Sequence, residues 1–100
     1  MPNLYSNRLT VLGSKTQVQR FQKSHWDRHL AARHGELLED SPGRFACQFE
    51  SEYSPLQRLG RLSRRWPRLV LLLVCESELE RTMGLAKAKA GELEHCELKY

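Results

Sequence analysis

The stretch from Phe45 to Cys75 constrains the fold of this chain more than any other part of the sequence. It opens with Phe45, Cys47 and Phe49, which alternate with small or polar residues, and this period of two is typical of a half-buried β-strand. It closes with the uninterrupted apolar block Leu69–Cys75, which has the length of a strand that is apolar on both faces. A strand, a helix and a returning strand predict one packing unit, which the rest of the chain is expected to complete.

The segment between those two strands predicts a strongly amphipathic helix. Ser54 and Pro55 end the first strand, and Pro55 has a φ angle suited to the first turn of a helix. At about 100° per residue, four apolar residues fall within about a third of a turn; they are Leu56, Leu59, Leu62 and Trp66. Trp66 is therefore predicted to be a core residue, and Pro67 is expected to end the helix.

The opposite side of this second predicted helix carries the strongest functional signal in the sequence. Five arginines lie there within eleven residues, namely Arg58, Arg61, Arg64, Arg65 and Arg68. Like charges at this density repel one another unless anions or carboxylates neutralise them, and the guanidinium fork fits phosphate oxygens. These five residues form the candidate anion-binding or nucleic-acid-binding site. The alternative is a solvated helix face whose arginines pair with Glu50, Glu52 or the acidic C-terminal quarter.

The N-terminal part of the chain predicts a strand, a helix and a loop. Asn3–Leu12 is the expected first strand, since its apolar residues alternate near its end. Ser14 and Gln17 match the capping box, in which the two side chains satisfy free backbone N–H groups at the start of a helix. The first helix is expected to run from about Lys15 to about Arg33, and the acidic segment Glu36–Gly43 is expected to be a loop.

The last quarter of the chain fits two structures. Residues 76–81 form a polar connection, after which an Ala/Lys/Glu-rich composition with apolar residues from Leu79 to Ala90 at helical spacing favours a helix. Small residues at positions 84, 86, 88 and 90 alternate with larger ones, which favours a strand lying under a helix. A turn at Gly91 and a final strand Leu93–Tyr100 would then follow. The residue pattern alone leaves both structures open.

Composition predicts one globular domain, residues 1–100, with a modest core, because hydrophobic residues make up 40% and charged residues 28% of the 100-residue chain. The net charge of +4 is unevenly distributed. Residues 1–75 contain 12 Lys and Arg against 6 Asp and Glu, whereas residues 76–100 contain 4 against 6. This balance permits contact with nucleic acid or with an acidic protein, but does not require either.

The sequence predicts neither export nor contact with a membrane. Its start has no basic segment followed by an apolar one, as a signal peptide would have. The longest apolar run is the seven residues of Leu69–Cys75, against the roughly 20 that a membrane span needs. Cys47, Cys75 and Cys96 are odd in number and widely spaced, which is typical of reduced thiols. The expected location is therefore the cytoplasm.

No group of residues predicts catalysis, a metal site or a cofactor. His25 and His29 have the i, i+4 spacing of two metal ligands, but no Glu follows His25 as the zinc-protease motif requires. Cys75 ends an apolar strand, where burial raises the pKa of a thiol and weakens it as a nucleophile. A Gly-rich phosphate loop is absent, and residues 43–50 match the octamer of RNA-recognition modules at only two positions. The sequence therefore predicts a protein that is not an enzyme.

Several motifs along the chain resemble those of one family. They are Met1–Gly13 (MPNLYSNRLTVLG), Phe49 with Tyr53–Pro55, Leu62–Ser63 with Trp66–Pro67, and the single residues Glu76, Gly84, Gly91 and Tyr100. Together these motifs are similar to those of the YubB-like family of phage- and plasmid-associated proteins, which has a ferredoxin-like domain. The resemblance is weakest between Ser14 and Arg44.

The resemblance implies an α+β fold of ferredoxin-like type, with an antiparallel-rich sheet of four or five strands and two helices on one face. It also implies that the last quarter is a strand hairpin rather than a helix. For function, the expectation is a non-catalytic accessory or protein-interaction module of mobile-element type. The alternative is a nucleic-acid-binding protein that uses the basic face of the second predicted helix.

The apolar block Leu69–Cys75 also predicts self-association. Leu71 and Leu73 are expected to face the helices, which leaves Val70, Leu72 and Val74 on the other face of the sheet. Three large aliphatic residues on an uncovered face would form an exposed patch that monomers seldom carry. Either a terminal segment folds over that face, or two copies pack sheet to sheet. Symmetric pairing is the commoner solution, so the sequence predicts a homodimer through the sheet face.

Overall fold

A computed structural model describes residues 4–100, and within this range the chain forms six β-strands and three short helices. The strands are β1 (Tyr5–Leu12), β2 (Arg33–Ser41), β3 (Arg44–Ser51), β4 (Val70–Ser77), β5 (Thr82–Lys89) and β6 (Glu92–Lys99). The helices are α1 (Lys15–Lys23), α2 (Trp26–His29) and α3 (Leu56–Arg65). The predicted start of the first strand at Asn3 lies outside the described residues.

The six strands form one sheet in the order β2-β3-β1-β4-β5-β6, and every neighbouring pair is antiparallel. The centre of the sheet is apolar on the face that the helices cover. There Leu9 of β1 lies opposite Cys47 of β3 on one side and opposite Leu73 of β4 on the other. All three side chains are buried, so the register of the central strands follows from their alternating patterns.

An aromatic cluster joins the helices to this face. Phe21 of α1 is fully buried, and its ring packs edge-on against Trp66, with the ring centroids 5.4 Å apart. Trp26 stacks on Phe21 at 6.0 Å and meets Phe45 of β3 at 5.8 Å. Trp66 was predicted to be a core residue; it is partly buried and packs against the core from its edge. The cluster holds α1, α2 and the end of α3 on one side of the sheet.

The predicted ferredoxin-like sheet of four or five strands with two helices is wrong, because residues 4–100 form a strand-rich fold with six antiparallel strands and three short helices. One additional strand is β2, Arg33–Ser41, which includes most of the segment Glu36–Gly43 that was expected to be a loop. Nearly every side chain of β2 is exposed, and its register with β3 is interrupted by two irregularities. An edge strand of this kind is held by backbone hydrogen bonds and has no apolar period to detect.

The additional helix arises because the first predicted helix is too long. It begins as expected, since the Ser14 hydroxyl accepts a hydrogen bond from the backbone N–H of Gln17 at 3.2 Å. It ends at Lys23 instead of near Arg33, where the Ser24 hydroxyl donates to the carbonyl of Phe21 at 2.6 Å. A serine that bonds the preceding turn competes with the helical backbone, and the chain re-forms a short helix only at α2.

The last quarter is the predicted hairpin, β5 and β6, and not a helix. Its small residues Ala86 and Ala88 are buried on the helix-covered face, where α3 approaches β5. Ser63 of α3 fixes this approach, because its buried hydroxyl donates to the carbonyl of Gly60 at 2.8 Å and accepts from the N–H of Gly91 at 2.9 Å. Side chains larger than alanine on β5 would push α3 away from the sheet.

The turn between β2 and β3 depends on Gly43, so we expect Gly43→Ala to lower the free energy of unfolding by about 1–3 kcal/mol. Gly43 has a φ angle of +77°, as position i+2 of a type II turn after Pro42 requires. A Cβ there would lie 2.8 Å from the carbonyl oxygen of Gly13, whose own N–H donates to the Gly43 carbonyl.

Urea denaturation of Gly43→Ala and of a matched control, Gly35→Ala, would measure the difference. Gly35 lies on the exposed β2, and a Cβ there meets no atom within 4 Å. Gly35→Ala is therefore expected to change the free energy of unfolding by less than about 0.5 kcal/mol. Equal effects of the two substitutions would show that the β2–β3 turn does not have this geometry.

Candidate functional site

The basic residues of α3 meet those of α2 in an open cleft of about 350 Å³. The cleft is lined by Arg28 and His29 from α2 and by Arg58, Arg61, Leu62 and Arg65 from α3. Every charged side chain in this lining is basic. The basic cleft, as this site is named, consists of Arg28, His29, Arg58, Arg61 and Arg65.

The geometry of the basic cleft follows from the local sequence. Arg58, Arg61 and Arg65 are spaced i, i+3 and i+7, which places them in one row along α3. The neighbouring apolar row contains Leu59 and Leu62, both buried, so the arginines lie at the outer border of this row and Leu62 forms part of the cleft floor. On α2 the aromatic Trp26 packs into the core, which leaves the following basic residues of that helix on the side facing α3.

One hydrogen bond connects the two helices within the basic cleft. A guanidinium nitrogen of Arg65 lies 3.2 Å from Nε2 of His29. A guanidinium group has only donors, so Arg65 donates and the His29 Nε2 accepts. This bond orients Arg65 across the cleft and leaves its remaining N–H groups free to bind an acceptor.

The arginines of the basic cleft have no carboxylate partners in the part of the chain that the structure describes. The ion pairs found there join Arg33 to Glu52, and Arg44 to Glu39 at 3.0 Å. Glu52, one of the acidic residues expected to neutralise the helix, therefore pairs with a residue of β2. Glu52 shares a neighbouring hollow with Arg58 but forms its ion pair with Arg33. The basic cleft is therefore a concentration of positive charge without its own ion pairs among the described residues, which is an arrangement that binds anions.

The structure brings together only three of the five arginines predicted to form the site. Arg64 lies on the other side of α3, against Gly91, where a Cβ on that glycine would be 2.5 Å from the Arg64 Cγ. Arg68 follows the end of the helix and does not line the cleft. Arg28 and His29 were not predicted to belong to this site. The sequence signal that was available for them was the row of basic residues at the end of the first predicted helix.

His25 and His29, which have the sequence spacing of two metal ligands, do not form part of a cluster that could hold a metal ion. Within residues 4–100, no group of three or more His, Cys, Asp or Glu side chains converges in that way. Both histidines are exposed. The role that the structure gives His29 is its hydrogen bond with Arg65.

The two strand cysteines have thiols that are poor nucleophiles at neutral pH. Burial raises the pKa of Cys47 to about 12 and the pKa of Cys75 to about 11, because a thiolate loses its hydration inside the core. Cys96 is exposed, and all three cysteines are free thiols. Neither buried thiol has the thiolate character that covalent catalysis needs.

The described chain also contains no helix that is long and apolar enough to cross a membrane. Comparison with models of known protein families, with curated proteins and with solved structures finds no significant match. The resemblance to the YubB-like family therefore stays a prediction from the sequence motifs.

Proposed function

We propose that this chain is a non-catalytic binding module whose basic cleft binds the phosphate backbone of nucleic acid. The observation that carries the proposal is the convergence of four arginines, Arg28, Arg58, Arg61 and Arg65, with no carboxylate partner among residues 4–100. Arginine forks form paired, charge-assisted hydrogen bonds with phosphate oxygens. An accessory role of mobile-element type is a further prediction that rests on the family resemblance alone.

The length of the basic cleft favours a polymer over a small anion. Arg58 and Arg65 are seven residues apart on α3, which at about 1.5 Å per residue corresponds to roughly 10 Å. One strand of duplex nucleic acid carries a phosphate about every 3.4 Å along its axis. About three successive phosphates therefore fit beside the cleft. A single phosphate would engage only part of it.

The proposed binding is independent of base sequence. The residues that line the basic cleft are arginines and a histidine around one leucine, and phosphate contacts of this kind carry no sequence information. Trp26 and Trp66 near the cleft pack into the core cluster, and the exposed Tyr53 lies in a neighbouring hollow with Arg58, outside the lining of the cleft. Affinity is therefore expected to depend on salt far more than on sequence.

The test is the binding of fluorescent mixed-sequence DNA and RNA oligonucleotides, single-stranded and duplex, measured by anisotropy at several salt concentrations. The triple variant Arg58→Gln, Arg61→Gln, Arg65→Gln is expected to weaken binding at least tenfold. It should also reduce the slope of log K against log salt by about 2–3, close to one for each phosphate contact removed. Glutamine keeps the helix propensity, so thermal unfolding followed by circular dichroism should change little.

The same helix provides a matched control, Arg64→Gln with Arg68→Gln, which removes two positive charges outside the basic cleft. This double variant is expected to weaken binding less than threefold. Absence of binding by the natural protein at 25 mM salt would overturn the proposal. Equal losses in the triple and the double variant would also overturn it, since a general charge effect and not the basic cleft would then explain the binding.

The cytoplasm is the proposed location, and the state of the cysteines supports it. The chain has three cysteines, all of them free, and Cys47 and Cys75 are buried on different strands of the core face. Disulfides are rare where glutathione and thioredoxin keep thiols reduced. A protein-interaction role rests on a different surface, the face of the sheet that the helices leave uncovered.

A further inference from the structure

Among residues 4–100, no element covers the face of the sheet opposite the helices, and this face is apolar at its centre. Val70, Leu72 and Val74 point to this face from β4 and are only partly buried, and Leu85 of β5 is 51% exposed. A groove of about 520 Å³ runs over Leu72, Val74 and Leu85, with its floor on β4 and β5 and its walls on β1 and β6. None of the three helices packs on this side. Exposed apolar surface of this extent is typical of an interface.

The walls of the groove carry opposite charges. Arg8 lies on the β1 wall and Glu94 on the β6 wall. Across the sheet, Arg8 lies in line with Val74, Leu85 and Cys96. Glu94 lies two residues from Cys96 on β6, directly opposite Lys87 of the groove floor. Within residues 4–100, no ion pair forms among Arg8, Lys87 and Glu94. The groove therefore presents the cation Arg8 on one wall, the anion Glu94 on the other, and a second cation, Lys87, beside Glu94.

We propose that the occupant of this groove is a second copy of the chain, related by a two-fold axis that runs along the strands between β4 and β5. This axis places β4 of one copy over β5 of the other, and β1 over β6. Arg8 of each copy then lies over Cys96 of the second copy, two residues along β6 from Glu94. Since a two-fold interface repeats every contact, one packing forms two such ion pairs around a shared apolar centre.

The occupant is identified by this charge arrangement. A small apolar ligand would leave Arg8 without a partner, since Glu94 is the only acidic residue in the described lining of the groove and it lies beside Lys87. A second copy brings its Glu94 to the Arg8 wall, and the two-fold axis repeats this contact. The dimer is therefore complementary in apolar surface and at its two Arg8–Glu94 contacts, while Lys87 lies over Leu72 of the second copy.

The proposed packing overlaps four strands of each copy, β1, β4, β5 and β6. Eight-residue strands are roughly 26 Å long, and four strands spaced about 4.8 Å apart give an overlapping face on the order of 500 Å². Over both partners this is about 1,000 Å², which is the smallest area expected of a biological interface. Two sheets packed about 10 Å apart would form a β-sandwich with the helices outside, so the two basic clefts would face away from each other. The dimer is thus independent of the proposed nucleic-acid binding.

Sedimentation velocity at protein concentrations between 1 and 100 µM would measure the dimer dissociation constant of the natural chain and of charge-reversed variants. The natural chain is expected to be dimeric at the upper end of this range. Arg8→Glu and Glu94→Arg should each weaken the dimer at least tenfold, since each variant brings like charges together. The double variant that carries both substitutions should return to within threefold of the natural dissociation constant, because it restores two opposite-charge pairs. Lys23→Glu, on the exposed end of α1, is the control and should have no effect.

Two outcomes would overturn the proposal. One is a natural chain that is monomeric at 100 µM. The other is a dimer that the single charge reversals do not weaken or that the double variant does not restore, since another surface or another orientation would then form the interface. Leu72→Lys provides a second measurement. It should yield a folded monomer, and a folded Leu72→Lys protein that still dimerises would also overturn the proposal.

Discussion

Replacement of Phe21 by alanine is expected to lower the free energy of unfolding by about 3–5 kcal/mol. Phe21 is fully buried, and its ring contacts the rings of Trp26 and Trp66 and of Phe45, whose centroid lies 6.4 Å away. It therefore connects both helical segments to the sheet. The loss is a large share of the roughly 5–15 kcal/mol that stabilises an ordinary domain. Urea denaturation followed by tryptophan fluorescence would measure it.

Two further variants define the source of this loss. Phe21→Leu retains most of the apolar volume and should cost at most about 1.5 kcal/mol. Trp66→Ala would cost about 3–5 kcal/mol if Trp66 were the fully buried core residue that the helical wheel predicts. Because Trp66 is only partly buried, its replacement should now cost about half as much. A Phe21→Ala protein that loses less than 1 kcal/mol would contradict the central position of this ring.

The parts of the fold that the sequence predicted correctly are those in which burial imposes a period. Leu71 and Leu73 of β4 are buried under the helices while Val70, Leu72 and Val74 face the other way, as the alternation indicated. A slip by one residue would move every apolar side chain to the wrong face, so a strand with one helix-covered face has only one acceptable register. The same reasoning explains why the apolar stripe of α3 was identified.

The parts that the sequence did not predict lack such a period. Every side chain of β2 except Glu39 is exposed, so its strand structure depends on pairing with β3 and not on its own residues. The break between α1 and α2 occurs at Ser24, whose hydroxyl and backbone N–H both donate to the carbonyl of Phe21. An additional edge strand and a helix divided in two are small local differences. Together they make the observed architecture different from the predicted one.

The candidate site also has a part that the sequence predicted and a part that it did not. The row Arg58, Arg61 and Arg65 was predictable from helical spacing alone, because it lies on one element. Its partners Arg28 and His29 were not predictable, since they come from a helix whose position is set by the packing of Trp26. The helical wheel also grouped Arg64 with the others, although the approach of the β5–β6 turn to α3 separates it from the basic cleft.

Alkaline pH is expected to destabilise the protein through its two buried thiols. In the unfolded chain a thiol ionises near pH 8.5–9, whereas burial holds the pKa of Cys47 at about 12 and that of Cys75 at about 11 in the folded chain. Above about pH 9 the unfolded state therefore binds fewer protons than the native state, and stability falls as the pH rises. The contribution of the thiols is fully present below about pH 8.5 and is lost progressively toward pH 11–12.

Ionisation of the two thiols should lower the free energy of unfolding by about 2 kcal/mol between pH 8 and pH 10. This is roughly half of the value expected from 1.36 kcal/mol per pKa unit, because local opening hydrates part of each thiolate. Urea denaturation at pH 8, 9 and 10 would compare the natural chain with Cys47→Ala, Cys75→Ala. Lysines and tyrosines also titrate in this range, but both proteins contain them, so the difference between the two pH slopes isolates the buried thiols. The exposed Cys96 provides the control, since Cys96→Ala should keep the natural slope. If the double variant lost stability with pH as steeply as the natural chain, Cys47 and Cys75 would have to be accessible to water in the native sheet.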